Sequence, residues 1–474
     1  MLIVVLIDII VAVSLIIAGR RSVESALPLF GFYLVLLPHE SRLVIPGGFD
    51  VSTDRVAIIV MLGLFILRHV DRRPGAIPLV RLICFNIACG LCSTLMSLSI
   101  ATSAKLLIGQ IVEYYLLYYM IVRVVTNRRT VYNVMLAMAM AIGVCCVCGL
   151  FESYARWSIL SVFPSDLWVT YGRGTTPLYI EWGRGLRIRS TFPHPILFGD
   201  ALAMMIPIII YLLTICKSKV QWALLWLVLI LSCWAIYKTS SRGPWIVAAG
   251  SCIVLFVMFT NRVRQYLMGI ALVALVVLIT RPGIWQTVGN LYESTLDPSS
   301  VVGSSYEYRD AVAQAVRAAV GRSAGRLTFG YGLGTFRELG LEMNFLNGWH
   351  RWHTCDNNWA LFLYETGYIG LLGTAMLLFK PLVMMIRSYW KIRGPERYWL
   401  GVLFISVGGF YFSLLSVAGY DWGQQGFMLW IFIGLSVVYP RLLEKSRGPE
   451  SSPVAPLRRL LPQAEIPGES LIYG

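Results

Sequence analysis

Three short stretches of the chain gather the side chains that bind anions and move protons. The first holds Arg184, Arg187 and Arg189, followed by Ser190-Thr191-Phe192-Pro193-His194-Pro195. Proline fits the first turn of a helix, and a helix N-terminus flanked by guanidinium groups suits an anion. Arginines that snorkel to lipid headgroups are the plainer alternative. The second is Thr239-Ser240-Ser241-Arg242-Gly243-Pro244, again a polar turn with proline at a helix start. There Arg242 and unbonded backbone N–H groups could face a phosphate, or the stretch could be a capped turn with an interfacial arginine.

The third stretch, His350-Arg351-Trp352-His353-Thr354-Cys355-Asp356-Asn357-Asn358, is the richest polar cluster in the sequence. His353 and Asp356 are three residues apart, so a carboxylate could orient an imidazole that takes a proton. Asp356 serves equally well as a helix N-cap. Glu365 follows inside an apolar run, roughly 13 Å along a continuous helix. An acid at that depth is costly and usually has a partner or a function. Gly367, Gly370 and Gly373 read as close helix-packing positions. Arg309, in Tyr306-Glu307-Tyr308-Arg309-Asp310, completes the set, with a local ion pair to Asp310 as its alternative. His194, His350 and Asn357 are supporting candidates. Glu113 and Asp8 are acids in apolar runs without a visible motif. His39, Glu40, Asp50 and Asp54 lack metal-ligand spacing, so no metal and no cofactor is expected. Neither a nucleotide-type phosphate loop nor a zinc-protease motif occurs.

Composition says what must position these residues. Of 474 residues, 57% are hydrophobic and only 14% charged, and the mean hydropathy is +0.68. Soluble domains carry about 25% charge, so a soluble enzyme, a disordered chain and a nucleic-acid-binding domain are excluded. Apolar runs of roughly 15–25 residues recur, the signature of an all-α polytopic membrane protein. The net charge of +15 then reads as topology-setting Lys and Arg rather than a nucleic-acid surface. Nine of the ten cysteines lie in apolar runs and Cys355 sits at a helix edge, so no disulfide is expected. The first eighteen residues lack a basic start and a small-residue cleavage site, which reads as an uncleaved anchor.

Thirteen apolar segments can be drawn: 2–18, 26–38, 55–69, 77–101, 104–125, 131–151, 195–216, 221–238, 244–260, 266–280, 357–380, 398–420 and 424–440. The short second one could be re-entrant, giving 12–13 transmembrane helices. Lys and Arg concentrate in alternate connections, which places the N-terminus outside and the C-terminus in the cytoplasm. The organisation expected is a bundle over 1–151, an outer interfacial segment over 152–194, and helices over 195–280. A large outer loop over 281–356, helices over 357–440 and a flexible cytoplasmic tail over 441–474 complete it. The 152–194 segment carries Tyr154, Trp157, Leu160, Phe163 and Trp168, an aromatic stretch suited to the interface. In the large loop Tyr308, Val312, Ala315, Val316, Ala319 and Val320 recur at helical spacing, which predicts an amphipathic helix. All three polar stretches then fall on the outer face.

Taken in order, Arg189 with Phe192-Pro193-His194-Pro195, Thr239-Ser240-Ser241-Arg242-Gly243, Phe329-Gly-Tyr-Gly-Leu-Gly-Thr-Phe336, and Asp356-Asn357 with Glu365-Thr-Gly367 and Gly370 form a pattern. It resembles the bacterial O-antigen ligase and O-antigen polymerase superfamily, over about residues 185–380. The resemblance implies a GT-C-type inner-membrane glycosyltransferase that moves glycan from undecaprenyl diphosphate to an acceptor hydroxyl on the periplasmic side. It also implies metal-independent, inverting transfer. Arg189, Arg242 and Arg309 are then expected at the diphosphate, and His353, or else Asp356, as the base. Asp356-Asn357 stands where ligases commonly carry His-Asn, and this form is more like the polymerases of polysaccharide repeat units. A ligase acting on lipid A-core is the alternative. A transporter or lipid flippase is a further one, although its charges would lie nearer the midplane.

Overall fold

The computed structural model describes residues 2–38, 41–43, 50–68, 77–163, 177–181, 185–280, 304–345 and 348–446, with isolated helical positions at 283, 286, 289 and 293. Arg184, His39, Glu40 and Trp168, and the tail after 446, lie outside the described residues.

Each of the thirteen apolar segments is helical. They form α1 (Leu2–Ala18), α2 (Val23–Leu36), α3 (Thr53–Leu67), α4 (Val80–Leu95), α5 (Ile100–Val124) and α6 (Arg128–Tyr154). After the first long connection come α7 (Pro195–Ile215), α8 (Lys219–Lys238), α9 (Arg242–Met258) and α10 (Asn261–Thr280). The second connection contains the amphipathic α11 (Ser304–Val320) and two short helices, α12 (Ala324–Phe329) and α13 (Thr335–Leu339). The chain ends in α14 (Asn358–Lys391), α15 (Arg397–Ser413) and α16 (Gly423–Ser446).

Seven of the helices described (α5, α6, α7, α8, α10, α14 and α16) are long and apolar enough to cross a membrane, and four shorter apolar helices (α1, α2, α4 and α9) accompany them. With 14 to 17 residues, α1 to α4 reach only about 21–26 Å at 1.5 Å per residue, against about 30 Å of hydrocarbon. The protein is an all-α membrane protein.

The bundle is built around α7, whose residues from Leu197 to Leu213 are all buried. It packs on α8, α9 and α15, while α2 and α8 lie along α6. At the rim the pattern inverts. Val220, Ile230, Leu272 and Val273 of α8 and α10 point outward, at no cost where lipid is the solvent. A second, smaller core joins Tyr308, Val312, Val316, Ala319 and Val320 of α11 to Phe336, Leu341, Met343, Cys355, Leu361 and Tyr364.

The large connection also contains a hairpin, β1 (Leu341–Phe345) with β2 (Gly348–Trp352), antiparallel with Met343 opposite His350. Leu341 and Met343 are buried while Glu342 and Asn344 are exposed, the period of two that a half-buried strand requires.

Helix α14 is not continuous. Gly367 has φ 65° and ψ −170°, a conformation costly for any residue with a Cβ. The break releases the carbonyls of Tyr364 and Glu365, which accept from the backbone N–H groups of Tyr331 (2.9 Å) and Gly332 (3.0 Å). Ser93 Oγ donates to the Glu365 carbonyl as well (2.5 Å). A Cβ on Gly330, itself at φ 74°, would overlap the backbone of Glu365 and Thr366, and one on Gly367 would overlap Thr328. The glycines of Phe329-Gly-Tyr-Gly-Leu-Gly-Thr-Phe336 are therefore what lets a loop backbone lie directly on a broken helix. Irregular backbone at this depth is tolerated where protein satisfies it.

Candidate functional site

The first two polar stretches meet. Arg187 is buried, and its guanidinium donates to the Thr239 carbonyl (2.9 Å) and Ser241 Oγ (2.7 Å) while pairing with Glu181. Ile188 N–H reaches the Lys238 carbonyl at 3.3 Å. Below them Glu152, at the end of α6, accepts from the backbone N–H groups of Arg189 (2.9 Å) and Ser190 (2.7 Å).

Arg189 does not present its guanidinium outward as the spacing suggested. It is 1% exposed and donates to the carbonyls of Pro193 (3.1 Å) and Pro177 (2.7 Å). The arginine organises the turn that starts α7. His194 is likewise structural: its Nδ1 accepts from Ile196 N–H (3.1 Å) as the α7 N-cap, and Nε2 meets the Tyr179 hydroxyl at 2.9 Å. Gly199, one turn on, lets Pro244 and Thr239 come within ordinary side-chain reach of the α7 backbone.

The connection between α15 and α16, residues 414–422, is the piece the sequence reading used only as a topological marker. Near its start Ser416 accepts from Arg309 Nη2 through its carbonyl (3.2 Å), and its Oγ lies 3.3 Å from where a Cβ on Gly243 would stand. The α11 arginine and the turn bearing Arg242 thus meet at one residue. In the middle, Tyr420 N–H donates to Asn358 Oδ1 (2.9 Å) and Asn358 N–H to the Leu414 carbonyl (3.0 Å), which pins the start of α14 to this connection. Burial holds the Tyr420 phenol protonated, its pKa well above the usual value. At the far end Asp421 accepts from Arg337 of α13 (3.2 Å), whose guanidinium lies 4.8 Å over the Trp422 ring.

His353 sits beside that end. Its Nδ1 is 3.0 Å from the Arg337 carbonyl. A carbonyl can only accept, so Nδ1 carries the hydrogen and Nε2 of the neutral ring keeps its lone pair, with the ring itself exposed. Asp356 is half-buried but is not the helix cap: Asn357 takes that place, its Oδ1 accepting from Trp359 N–H (3.0 Å) and Ala360 N–H (3.2 Å). The amide reaches the first turn from extended backbone, which corrects the capping role read for Asp356. Next to it Cys355 donates to the Asn357 carbonyl (3.2 Å), and burial pushes its thiol up to about 12. Tyr308 donates to the Thr354 carbonyl (2.5 Å), with its phenol also raised by burial, and so carries α11 to this strand. His350 is exposed on β2 and touches neither His353 nor Asp356 by any contact described.

Glu365 is buried beneath these residues, with Oε1 accepting from Gly334 N–H at the start of α13 (2.8 Å). Asp421 interacts electrostatically with Glu365 and with Glu113. Glu113 lies in a π-helical turn, Ile111–Tyr115, inside α5 and accepts from Arg55 Nε at 2.7 Å. Such turns are frequent at functional sites. Arg55 also donates to the Asp50 carbonyl (2.5 Å), and Arg42 pairs with the Asp50 carboxylate (3.4 Å).

Arg55, Arg337, Asp421 and Trp422 were absent from the candidates read from sequence. No local spacing marks Arg55 or Arg337, since each finds its partner tens of residues away. Among the described residues no group of three or more His, Cys, Asp or Glu side chains is arranged to hold a metal ion. The ten cysteines are free. Searched against models of known families, the sequence matches none, and no curated protein matches it.

Proposed function

We propose that the protein is a membrane glycosyltransferase that elongates a polysaccharide by moving glycan from undecaprenyl diphosphate to an acceptor hydroxyl on the periplasmic side. The observation that carries this reading is the arrangement along residues 414–422. Arg309 and the Arg242 turn meet at Ser416, and five residues on, Asp421 joins the element that orients His353.

The chemistry follows from the leaving group. As the bond between the anomeric carbon and the diphosphate oxygen breaks, negative charge grows on the diphosphate. Fixed guanidinium groups, Arg242 and Arg309, oppose it without reorganising. The acceptor oxygen bonds to the anomeric carbon from the opposite face, inverting it, and its proton passes to His353 Nε2. Asp356 is the second choice for that proton. Arg189 positions the turn that starts α7.

The broken α14 favours a second reading, a transporter, because discontinuous helices often line transport sites. Here, however, the freed carbonyls of Tyr364 and Glu365 are occupied by Tyr331 and Gly332, so they are not offered to an ion.

The test is purified protein in nanodiscs with lipid-linked repeat units and no ion gradient. Lengthening of the lipid-linked glycan, with EDTA present, is expected. No turnover alongside gradient-driven movement of lipid-linked glycan would replace this reading with transport. In cells lacking the protein, single repeats on lipid indicate a polymerase and free polymer on the carrier indicates a ligase.

A further inference from the structure

Beyond the diphosphate and the base, the structure contains a second constellation that the proposed reaction leaves unused. Two ion pairs from four different parts of the chain share one neighbourhood: Arg55 with Glu113, and Arg337 with Asp421, where Asp421 acts electrostatically on Glu113 and the Tyr114 ring lies 6.2 Å from that of Tyr420. All four side chains are partly open, between 14% and 38% exposed. Around them Glu365, Asp50 and Asp54 add carboxylates to the same electrostatic neighbourhood. The Trp422 ring forms one wall, under Arg337.

Tyr114, the neighbour of Glu113 in the π-helical turn, gives the second observation. It is 2% exposed, and its hydroxyl has no hydrogen-bond partner among the described residues. The ring packs against Tyr420 and Phe427, the hydroxyl abuts Gly426, and the phenol interacts electrostatically with Glu113, Asp421, Asp54 and Arg337. A buried hydroxyl without a partner costs about 1–3 kcal/mol, so its placement among these groups points to something that completes it.

We infer that the crossing of Arg55–Glu113 with Arg337–Asp421, walled by Trp422 and Tyr114, is a sugar subsite that holds the terminal residue of the acceptor glycan. Ionised carboxylates only accept and guanidinium groups only donate. Two such pairs side by side therefore match adjacent hydroxyls, each of which both donates and accepts. The indole offers a flat apolar face to the C–H side of a pyranose. An anionic diphosphate is disfavoured here because both guanidinium groups already face carboxylates, whereas a neutral polyol is not. Position agrees: the backbone of Arg337, whose side chain belongs to the crossing, orients His353, so a sugar held here brings its hydroxyl toward Nε2. This inference rests on the glycosyltransferase reading and names the acceptor half of that site.

The experiment uses the full-length protein in nanodiscs and two probes. One is the water-soluble repeat-unit oligosaccharide released by mild acid from the host's lipid-linked glycan; the other is undecaprenyl diphosphate without sugar. Binding of each is measured calorimetrically to wild type, Glu113→Gln and Trp422→Ala. At least tenfold weaker oligosaccharide binding is expected in both variants, with undecaprenyl diphosphate binding kept within twofold. A purely bracing role for the ion pairs would shift both probes together or neither, and either result overturns the subsite. Should Glu113→Gln fail to elute as a single species, Trp422→Ala decides alone, since it breaks no ion pair. A wild type that transfers glycan but binds the oligosaccharide no better than Trp422→Ala overturns the subsite and leaves the glycosyltransferase reading standing. A wild type that transfers nothing and binds neither probe overturns both.

Discussion

The two ends of residues 414–422 treat arginine in opposite ways. At the Ser416 end, Arg309 donates to a backbone carbonyl, that of Ser416, much as Arg189 in the turn before α7 donates to Pro177 and Pro193. A carbonyl orients a guanidinium without a counter-charge of its own; Arg187, paired with Glu181, is the strut that ties the two loops together. At the Asp421 end, Arg55 and Arg337 each face a carboxylate, and Glu365 and Asp50 add more. The same residue type is thus held by a neutral carbonyl on one side and by a carboxylate on the other. The difference lies in whether the partner is neutral or charged.

That contrast breaks most sharply at His353, beside the Asp421 end. His353→Ala should lower glycan transfer by about 10²–10⁴-fold, the usual contribution of a general base, with undecaprenyl diphosphate binding unchanged. Because Asn357 is the helix cap, Asp356→Asn removes a charge and leaves that cap in place. If that variant is inactive, with unchanged melting temperature, while His353→Ala still turns over, Asp356 is the base.

A structural break on the carboxylate side comes next. Gly367→Ala places a Cβ at φ 65° against the Thr328 backbone, and the strain and overlap together should cost about 3 kcal/mol. Thermal unfolding followed by detergent-resistant size exclusion checks it; a wild-type melting point means the loop is not seated on the broken helix.

On the arginine side, Arg309→Lys keeps the charge but loses the planar fork. Undecaprenyl diphosphate should bind about tenfold more weakly, as expected for losing one charge-assisted hydrogen bond, while oligosaccharide binding stays put. Equal loss of both would mean the two sides are not separate.

Smaller effects sharpen the geometry between them. Asn357→Ala should lower stability by about 1 kcal/mol through the lost cap, and Asn357→Asp should restore it. For Cys355 the sign is also fixed. Its thiol titrates near 9.0 when exposed but is pushed up to about 12 in the fold. Between those values the unfolded chain gives up a proton the folded one keeps, so stability falls as pH rises through that window. Cys355→Ser should flatten the alkaline limb of a melting-temperature profile relative to wild type.

The thirteen helices were legible from apolar runs alone, because in a bilayer each helix satisfies its own backbone and its side chains need only be apolar. The amphipathic α11 followed from periodicity for the same local reason. Legible too was the association of Phe329-Gly-Tyr-Gly-Leu-Gly-Thr-Phe336 with Glu365-Thr-Gly367 as motifs, though not why they belong together. That required seeing a helix break whose carbonyls need N–H donors from another segment. The capping role went to Asn357 instead of Asp356 because one residue's offset in the helix start, invisible in composition, decides which side chain faces the free N–H groups. Arg189 carried an anion-binding signature in sequence, yet its folded neighbours are carbonyls that turn it inward.

What the sequence by itself determined is therefore what depends on neighbours along the chain: helices, turns and the glycines that permit them. Which arginine is held by a carbonyl, and which meets Glu113 or Asp421, was decided only by the tertiary structure. Those partners lie 58 and 84 residues apart in the chain, and electrostatic character is set by distance in space.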